Sequence, residues 1–321
     1  MTGPEPAEAP SSPFAVVVVS FGSSGLLHRN LASLELGAAT VVVVDCFSGL
    51  DERERVRSLA AARGWHAVLL DENAGFGGGM NAGAARAIEL GARVVVALNP
   101  DASIDAASLD ALVGAAAADP LLLASPRIVG ADGSPWFEGA DLYLDDGETR
   151  GARARPRFAG AERRAWATGA CFAISAALWE RLGGFDESFF LYWEDIDLSH
   201  RVLELGGTLA LVDATAVHDA GGTQARAAGG RAKSELYYYW NIRNRLLYAV
   251  KHLDDEGVRR WQRSAARVGY RVLLRGGRRQ LVRSVRPWRA LVRGLRDGRR
   301  IVRDDRRARR GTTRVAASRS R

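Results

Sequence analysis

The chain has 321 residues, 47% hydrophobic and 26% charged, a globular balance that allows one large domain and an appendage. Two isolated cysteines, Cys46 and Cys171, exclude a disulfide framework and a cysteine metal knuckle and suit a reducing compartment. The net charge of +8 is unevenly held. Residues 258–321 carry 23 arginines, no lysine and three aspartates, which leaves −12 on residues 1–257. The body is therefore acidic, and the tail points to an anionic partner or surface.

Residues 1–13, rich in Pro, Ala, Glu and Ser, read as a disordered leader; they lack the basic start and apolar stretch of a secretory signal. No uninterrupted apolar run is long enough for a membrane span. Four apolar runs then recur: Phe14–Phe21, Val41–Asp45, Ala67–Leu70 and Val94–Leu98. Runs without alternation predict strands covered on both faces, as in a mostly parallel sheet. Helical stretches over 26–36, 51–63 and 78–90 separate them, so the pattern predicts right-handed βαβ units in an α/β fold. A fourth helix over 108–118 leads to a strand at 121–124. Asp132-Gly133 and Asp146-Gly147 predict hairpin turns, and 150–164 predicts a surface loop. Helices over 175–182 and 194–205 follow, the second stopping at Gly206-Gly207 before a strand at 208–212.

In open α/β sheets, ligands gather beyond the carboxyl ends of strands. Asp45 and Asn99-Pro100-Asp101 both lie at such ends. Asp45 reads either as an acceptor for a nucleobase or ribose donor or as a helix cap. The glycine-dense Asn73–Gly83 segment reads either as an anion-binding helix start or as a tight turn with close helix–sheet packing. It is neither a dinucleotide fingerprint nor a P-loop. Asp101 reads either as a ligand to a hard cation shared with phosphates or as a turn residue. His218, after a strand, is a metal or phosphate contact or a structural histidine. Gly183–Leu198 concentrates five aromatic and five acidic residues. Carboxylates beside apolar groups can be adjusted for acid–base work; the plain alternative is a core helix with a solvated acidic start.

The order of these pieces resembles the inverting family-2 glycosyltransferases, in particular their rhamnosyltransferase-like branch. The resemblance runs over about Phe14 to Arg245 through Asp45, the Asn73–Gly83 loop, Leu98-Asn99-Pro100-Asp101, Thr168-Gly169-Ala170, the Gly183–Leu198 block and His218. It implies a GT-A fold, a nucleotide-sugar donor and Mg²⁺ or Mn²⁺. On this resemblance Asp195 is the catalytic base, and Glu194 holds the acceptor or tunes Asp195. Asp101 and His218 hold the metal. Asp45, Asn73, Gly75, Phe76, Asn81, Asn99 and Gly169 contact the donor. Three departures stand out: Asn99 opens the usual acidic triplet as a neutral residue, Cys46 replaces a frequent Asn, and Ser20-Phe21-Gly22 lacks the polar Asn often found after strand one. Tyr192 and Trp193 are expected to wall the base.

The expected organisation is a GT-A domain over 14–228, an amphipathic helical region over 229–303 and a disordered basic tail over 304–321. Trp261, Ala265, Val268 and Val272 make one helical stripe. Leu281, Val285, Trp288, Val292 and Leu295 make another. Arginines opposite such stripes suit an anionic membrane surface, which lipid-linked acceptors would explain; a helical cap on the body is the alternative. Together these readings give a cytoplasmic enzyme, peripheral on the inner face of the cell membrane, moving a sugar (rhamnose from dTDP-rhamnose first) to a glycan or lipid-linked acceptor of the cell envelope. A nucleotidyltransferase of related architecture, or a non-catalytic binder of nucleotide sugars or anionic surfaces, is the alternative. The acidic body and lack of a nucleic-acid motif argue against a nucleic-acid partner.

Overall fold

Four valine-rich runs form the parallel half of the main sheet. In the computed structural model, which describes residues 13–34, 36–218 and 233–319 (side chains through residue 309), they are β1 (Phe14–Ser20), β2 (Thr40–Asp45), β3 (His66–Leu69) and β4 (Val94–Leu98). They lie in the order β3-β2-β1-β4, all parallel. Every residue of β1 and β4 is buried, which is why neither shows alternation. Between them run α1 (Ser24–Leu26), α2 (Leu50–Arg63) and α3 (Gly75–Glu89). The helix expected over 26–36 is shorter than its apolar pattern suggested. After α1 the chain makes one π-helical turn, Leu27–Leu31, and stops. The Asn30 amide there is drawn to the Pro100 carbonyl at 2.9 Å.

Next come β5 (Ala102–Ile104), α4 (Ala106–Ala118), β6 (Leu122–Gly130) and β7 (Pro135–Phe137). Then β8 (Ala140–Tyr143), β9 (Glu148–Gly151) and β10 (Arg163–Trp166) make a separate three-stranded sheet in the order β10-β8-β9. The chain returns through β11 (Cys171–Ser175), α5 (Ala176–Leu182), α6 (Glu194–Glu204) and β12 (Thr208–His218). β11 runs antiparallel between β4 and β6, and β12 lies parallel to β6 and antiparallel to β5. The nine-stranded sheet thus reads β3-β2-β1-β4-β11-β6-β12-β5, with β7 on β6. The described chain ends in α7 (Glu235–His252), α8 (Asp255–Leu274), α9 (Arg279–Arg283) and α10 (Arg286–Arg319).

The glycines of α3 let this helix lie close on the sheet. A Cβ on Gly79 would sit 2.7 Å from Val19 Cγ1 and 2.8 Å from Cys46 Sγ; on Gly83 it would sit 2.3 Å from Val17 Cγ1 and 2.7 Å from Val44 Cγ2. Gly83→Ala should therefore lower stability by about 1–3 kcal/mol, the usual cost of overpacking, read as a lower urea midpoint. An unchanged midpoint would mean that α3 can lift off the strands freely. Burial pushes the thiols of Cys46 and Cys171 up to about 12, so neither is a reactive nucleophile at neutral pH.

The chain divides into two compact units. One unit holds Met1–Gly139, Trp166–Phe190 and Glu194–Ala220; the other holds Ala140–Ala165, Leu191–Trp193 and Gly221–Arg321. The 150–164 stretch, expected as a plain loop, contains the end of β9, a 3₁₀ segment Ala152–Phe158 and the start of β10. Residues 304–319, expected to be disordered, continue α10. Arginine favours helix, and Arg300–Asp304 and Arg309–Asp305 pair one turn apart. The leader through residue 12 and the 228/229 boundary lie outside the described residues.

Within the second unit, Trp261 is fully buried and donates its indole N–H to the Leu144 carbonyl at 2.7 Å. Arg245, 3% exposed, donates to the carbonyls of Gly147 (3.2 Å) and Trp261 (2.9 Å) and to Ser264 Oγ (2.9 Å). Burial lowers it to about 9, so it remains a cation at neutral pH with every contact directed at an oxygen. The stripe of Trp261, Ala265, Val268 and Val272 is buried here as core. Among the described residues no helix is long and apolar enough to cross a membrane.

Candidate active site

Asp195 stands in the first turn of α6. One carboxylate oxygen accepts from the Ile196 N–H at 2.9 Å and the other from the Gly169 N–H at 3.1 Å. Gly169 is small enough to allow this approach: a Cβ there would sit 3.2 Å from the Phe76 ring and 3.5 Å from Asp195 Cβ. Burial pushes Asp195 up to about 6, against the pull of those backbone donors. Glu194, 5% exposed, is pushed well above the carboxylate range by burial and then by the charge of Asp195. Burial thus disfavours the charge of both neighbours, while two backbone N–H groups draw Asp195 toward its ionised form. This setting suits a general base. A transfer step that needs ionised Asp195 should lose rate below about pH 6, which a kcat–pH profile reads directly; a flat profile from pH 5 to 8 would remove Asp195 from that role.

The segment that holds Asp195 also holds the end of β4. Gly169 bonds Asp195, and the next carbonyl, of Ala170, accepts from the Asn99 N–H at 2.9 Å. Two residues on, Asp101 is buried, with Oδ1 3.4 Å from His218 Nε2 at the end of β12. β5 and β12 pair there, with His218 opposite Ala102. A carboxylate oxygen and an imidazole nitrogen at this separation suit one small divalent cation: two ligands about 2.1 Å from a metal at a right angle lie about 3 Å apart. His218 Nδ1 is buried with no hydrogen-bond partner among the described residues. The structure thus links Asp195 through Gly169-Ala170 to Asn99 and pairs Asp101 with His218.

Asp45 closes β2, opposite Ser20 on β1. β1 separates β2 from β4, so the two strand ends lie two spacings apart, about 10 Å. Asp45 is fully buried; Oδ2 accepts from Arg53 Nε at 3.1 Å, and Oδ1 has no hydrogen-bond partner among the described residues. Beside the ends of β1 and β2 is an open depression of about 640 Å³ lined by Gly22, Ser48, Gly49, Leu50, Asp51, Glu52 and Arg55. Asp45 is therefore an ion-pair partner of α2 with one acceptor to spare.

The first two N–H groups of α3 are engaged within the fold. Gly75 N–H goes to Asn73 Oδ1 (2.9 Å), and Phe76 N–H to the Phe190 carbonyl (2.8 Å). A Cβ on Gly75, at φ +74°, would sit 2.2 Å from that carbonyl oxygen. The side chain of Asn81 is engaged too: it accepts from Phe185 N–H (2.8 Å) and donates to the Phe185 carbonyl and Glu187 Oε1 (2.9 Å each). Asn73, Gly75, Phe76 and Asn81 thus fasten α3 to the 185–190 segment. Trp193 is buried, its ring 5.6 Å from Tyr248 and 6.2 Å from Trp261, while Tyr192 packs on Tyr237 at 5.3 Å. Both rings belong to the second unit's aromatic cluster.

Three contributors escaped the sequence reading. Trp136, half exposed on β7, stacks on His218 at 4.5 Å with rings 7° from parallel. Arg53 pairs Asp45, and its guanidinium lies 4.6 Å over Phe47. Asn244, fully buried, donates to the carbonyls of Leu191 (3.0 Å) and Tyr192 (2.8 Å). Only Asn244 carried a signal, as part of the polar break in the aromatic Tyr237–Arg245 stretch.

No protein-family model matches the chain. It is 28% identical over 242 residues to the low-salt glycan biosynthesis hexosyltransferase Agl10 of Haloferax volcanii, covering 73% of this chain and 74% of that protein. It is 27% identical over 217 residues to the N-acetylglucosaminyl-diphospho-decaprenol L-rhamnosyltransferase of Mycobacterium tuberculosis, covering 60% and 70%. Among solved structures, the mannosyltransferase PcManGT from Pyrobaculum calidifontis, in complex with GDP-Man and Mn²⁺, superposes with TM-score 0.52 over 90% of this chain and 85% of that one, at 15% identity. GalNAc-T7 with UDP, GalNAc and Mn²⁺ gives 0.51 over 64% of this chain, at 17% identity; the match spans 43% of that protein. At those identities the structural likeness speaks for the fold alone.

Proposed function

We propose that the chain is a family-2, rhamnosyltransferase-like glycosyltransferase of GT-A fold, an inverting, metal-dependent enzyme taking its sugar from a nucleotide-sugar donor. The acceptor is a hydroxyl of a glycan or lipid-linked saccharide in cell-envelope synthesis, and rhamnose carried on dTDP is the first donor to test. The observation that carries the reading is the short link from base to cation pair: Gly169 N–H holds Asp195, and the adjoining Ala170 carbonyl holds Asn99, two residues before Asp101.

In this reading ionised Asp195 takes the proton of the acceptor hydroxyl as its oxygen attacks the anomeric carbon. The bond to the diphosphate breaks on the opposite face, so the configuration inverts. Gly169 and Ile196 N–H groups keep the carboxylate aimed. Asp101 and His218 would hold Mg²⁺ or Mn²⁺, which when bound offsets the charge of the leaving diphosphate. Asp45 supplies an acceptor for the nucleobase. The arginine-rich C-terminal helices would keep the enzyme at the anionic inner face of the cell membrane, where lipid-linked acceptors reside.

A panel of nucleotide sugars, each with and without Mn²⁺, tests the reading by thermal stabilisation and by transfer to a lipid-linked acceptor. One donor should stabilise the protein only with the metal. No metal-dependent stabilisation by any member would remove the donor assignment.

A further inference from the structure

The second unit buries the apolar stripe of α8 but only the ends of the next one: Leu281 and Leu295 pack on its core, while Val285, Trp288 and Val292 stay outside. Val282 is 90% exposed, Val285 69%, Val292 64%, Tyr270 43% and Trp288 40%. These side chains form one patch. Trp288 stacks on Tyr270 at 6.0 Å, and its indole N–H donates to the Leu281 carbonyl at 2.9 Å, next to Val282. Val285, Trp288 and Val292 follow helical spacing. Exposed apolar surface of this kind marks an interaction site. Beside it Arg278, Arg279, Arg283, Arg286 and Arg289 are exposed, with no acidic partner among the described residues.

The composition selects the occupant. A second copy would bring one strongly basic tail against another. A nucleic acid would use the arginines and the two rings but leave three valines facing water. An anionic bilayer uses all of them: valines at the acyl boundary, rings at the headgroups, guanidiniums on lipid phosphates. We propose that Val282, Val285, Trp288 and Val292 enter the interface of an anionic membrane while the five arginines contact its phosphates. The surface rests on the reading of the acceptor as lipid-linked and assigns it a docking face.

The test is co-sedimentation of the full chain with phosphatidylcholine vesicles with and without phosphatidylglycerol. The parent should bind the anionic vesicles, and Trp288 should be quenched by brominated lipid, a signal lost in Trp288→Phe. Val282→Ser/Val285→Ser/Val292→Ser should weaken partitioning by about tenfold or more. Neutralising the five arginines to Gln should cost about fivefold per residue at low salt. Parent-like binding of the valine variant overturns the proposal. So does absence of parent binding, or a duplex oligonucleotide that is bound equally well by the valine variant and displaces the vesicles. Thermal stabilisation by nucleotide sugar and Mn²⁺ is read in the same samples. If it is present while vesicle binding is absent, the docking surface fails alone; vesicle binding without it retains the surface and removes the transferase reading.

Discussion

Asp195→Asn should bind donor as the parent does and transfer sugar about 10²–10⁴-fold more slowly, the range for loss of a positioned general base. The substitution preserves shape, and its amide oxygen can still accept from Gly169 N–H. A collapsed site would lose donor binding as well, so the two readouts separate chemistry from folding. Stability provides a third. Asp195 is raised to about 6 by burial, above its unfolded value near 4. Its protonated form is thus favoured in the fold; the resulting stabilisation is complete below about pH 4 and is lost as pH rises through 6. Asn removes this dependence. The variant should melt higher than the parent at pH 8, with the gap shrinking toward pH 5. Near-parental turnover would remove the base role.

Asp101→Ala should abolish the Mn²⁺ dependence of nucleotide binding. Loss of groups that only orient a ligand commonly costs 10–100-fold in metal affinity, so loss of a ligand itself should cost about 10²-fold or more. Mn²⁺ titration followed by thermal stabilisation with nucleotide reads this without turnover. His218→Ala should move the same midpoint in the same direction, because its nitrogen lies 3.4 Å from the carboxylate. Coincident titrations for parent and Asp101→Ala would place the cation elsewhere.

The parallel half of the sheet was legible because its strands are buried on both faces and so appear as unbroken apolar runs. The antiparallel insertion of β11 between β4 and β6 was not, because short-range pattern is silent on strand order. Asp45, Asp101 and Asp195 could be singled out because strand ends and charge beside aromatic residues are sequence features. Gly169 as the holder of Asp195 is a contact across 26 positions, beyond any local pattern. The glycine loop stayed open between two readings for a related reason: glycines that admit an anion and glycines that admit a strand look alike, and Val17 and Val44 lie against Gly83 here. The tail misled through its charge, since arginine composition does not separate disorder from a solvated helix.

Tyr192 and Trp193 take φ of +63° and +78°, a region where bulky residues are uncommon and cost about 1–2 kcal/mol each. Glycine would relieve this, yet it would also delete a Trp ring whose burial is worth about 3–5 kcal/mol. The aromatic packing therefore outweighs the backbone's discomfort, and Asn244 secures the crooked turn by both its carbonyls. The Leu191–Trp193 turn is thus fixed by the second unit's own packing as the chain folds.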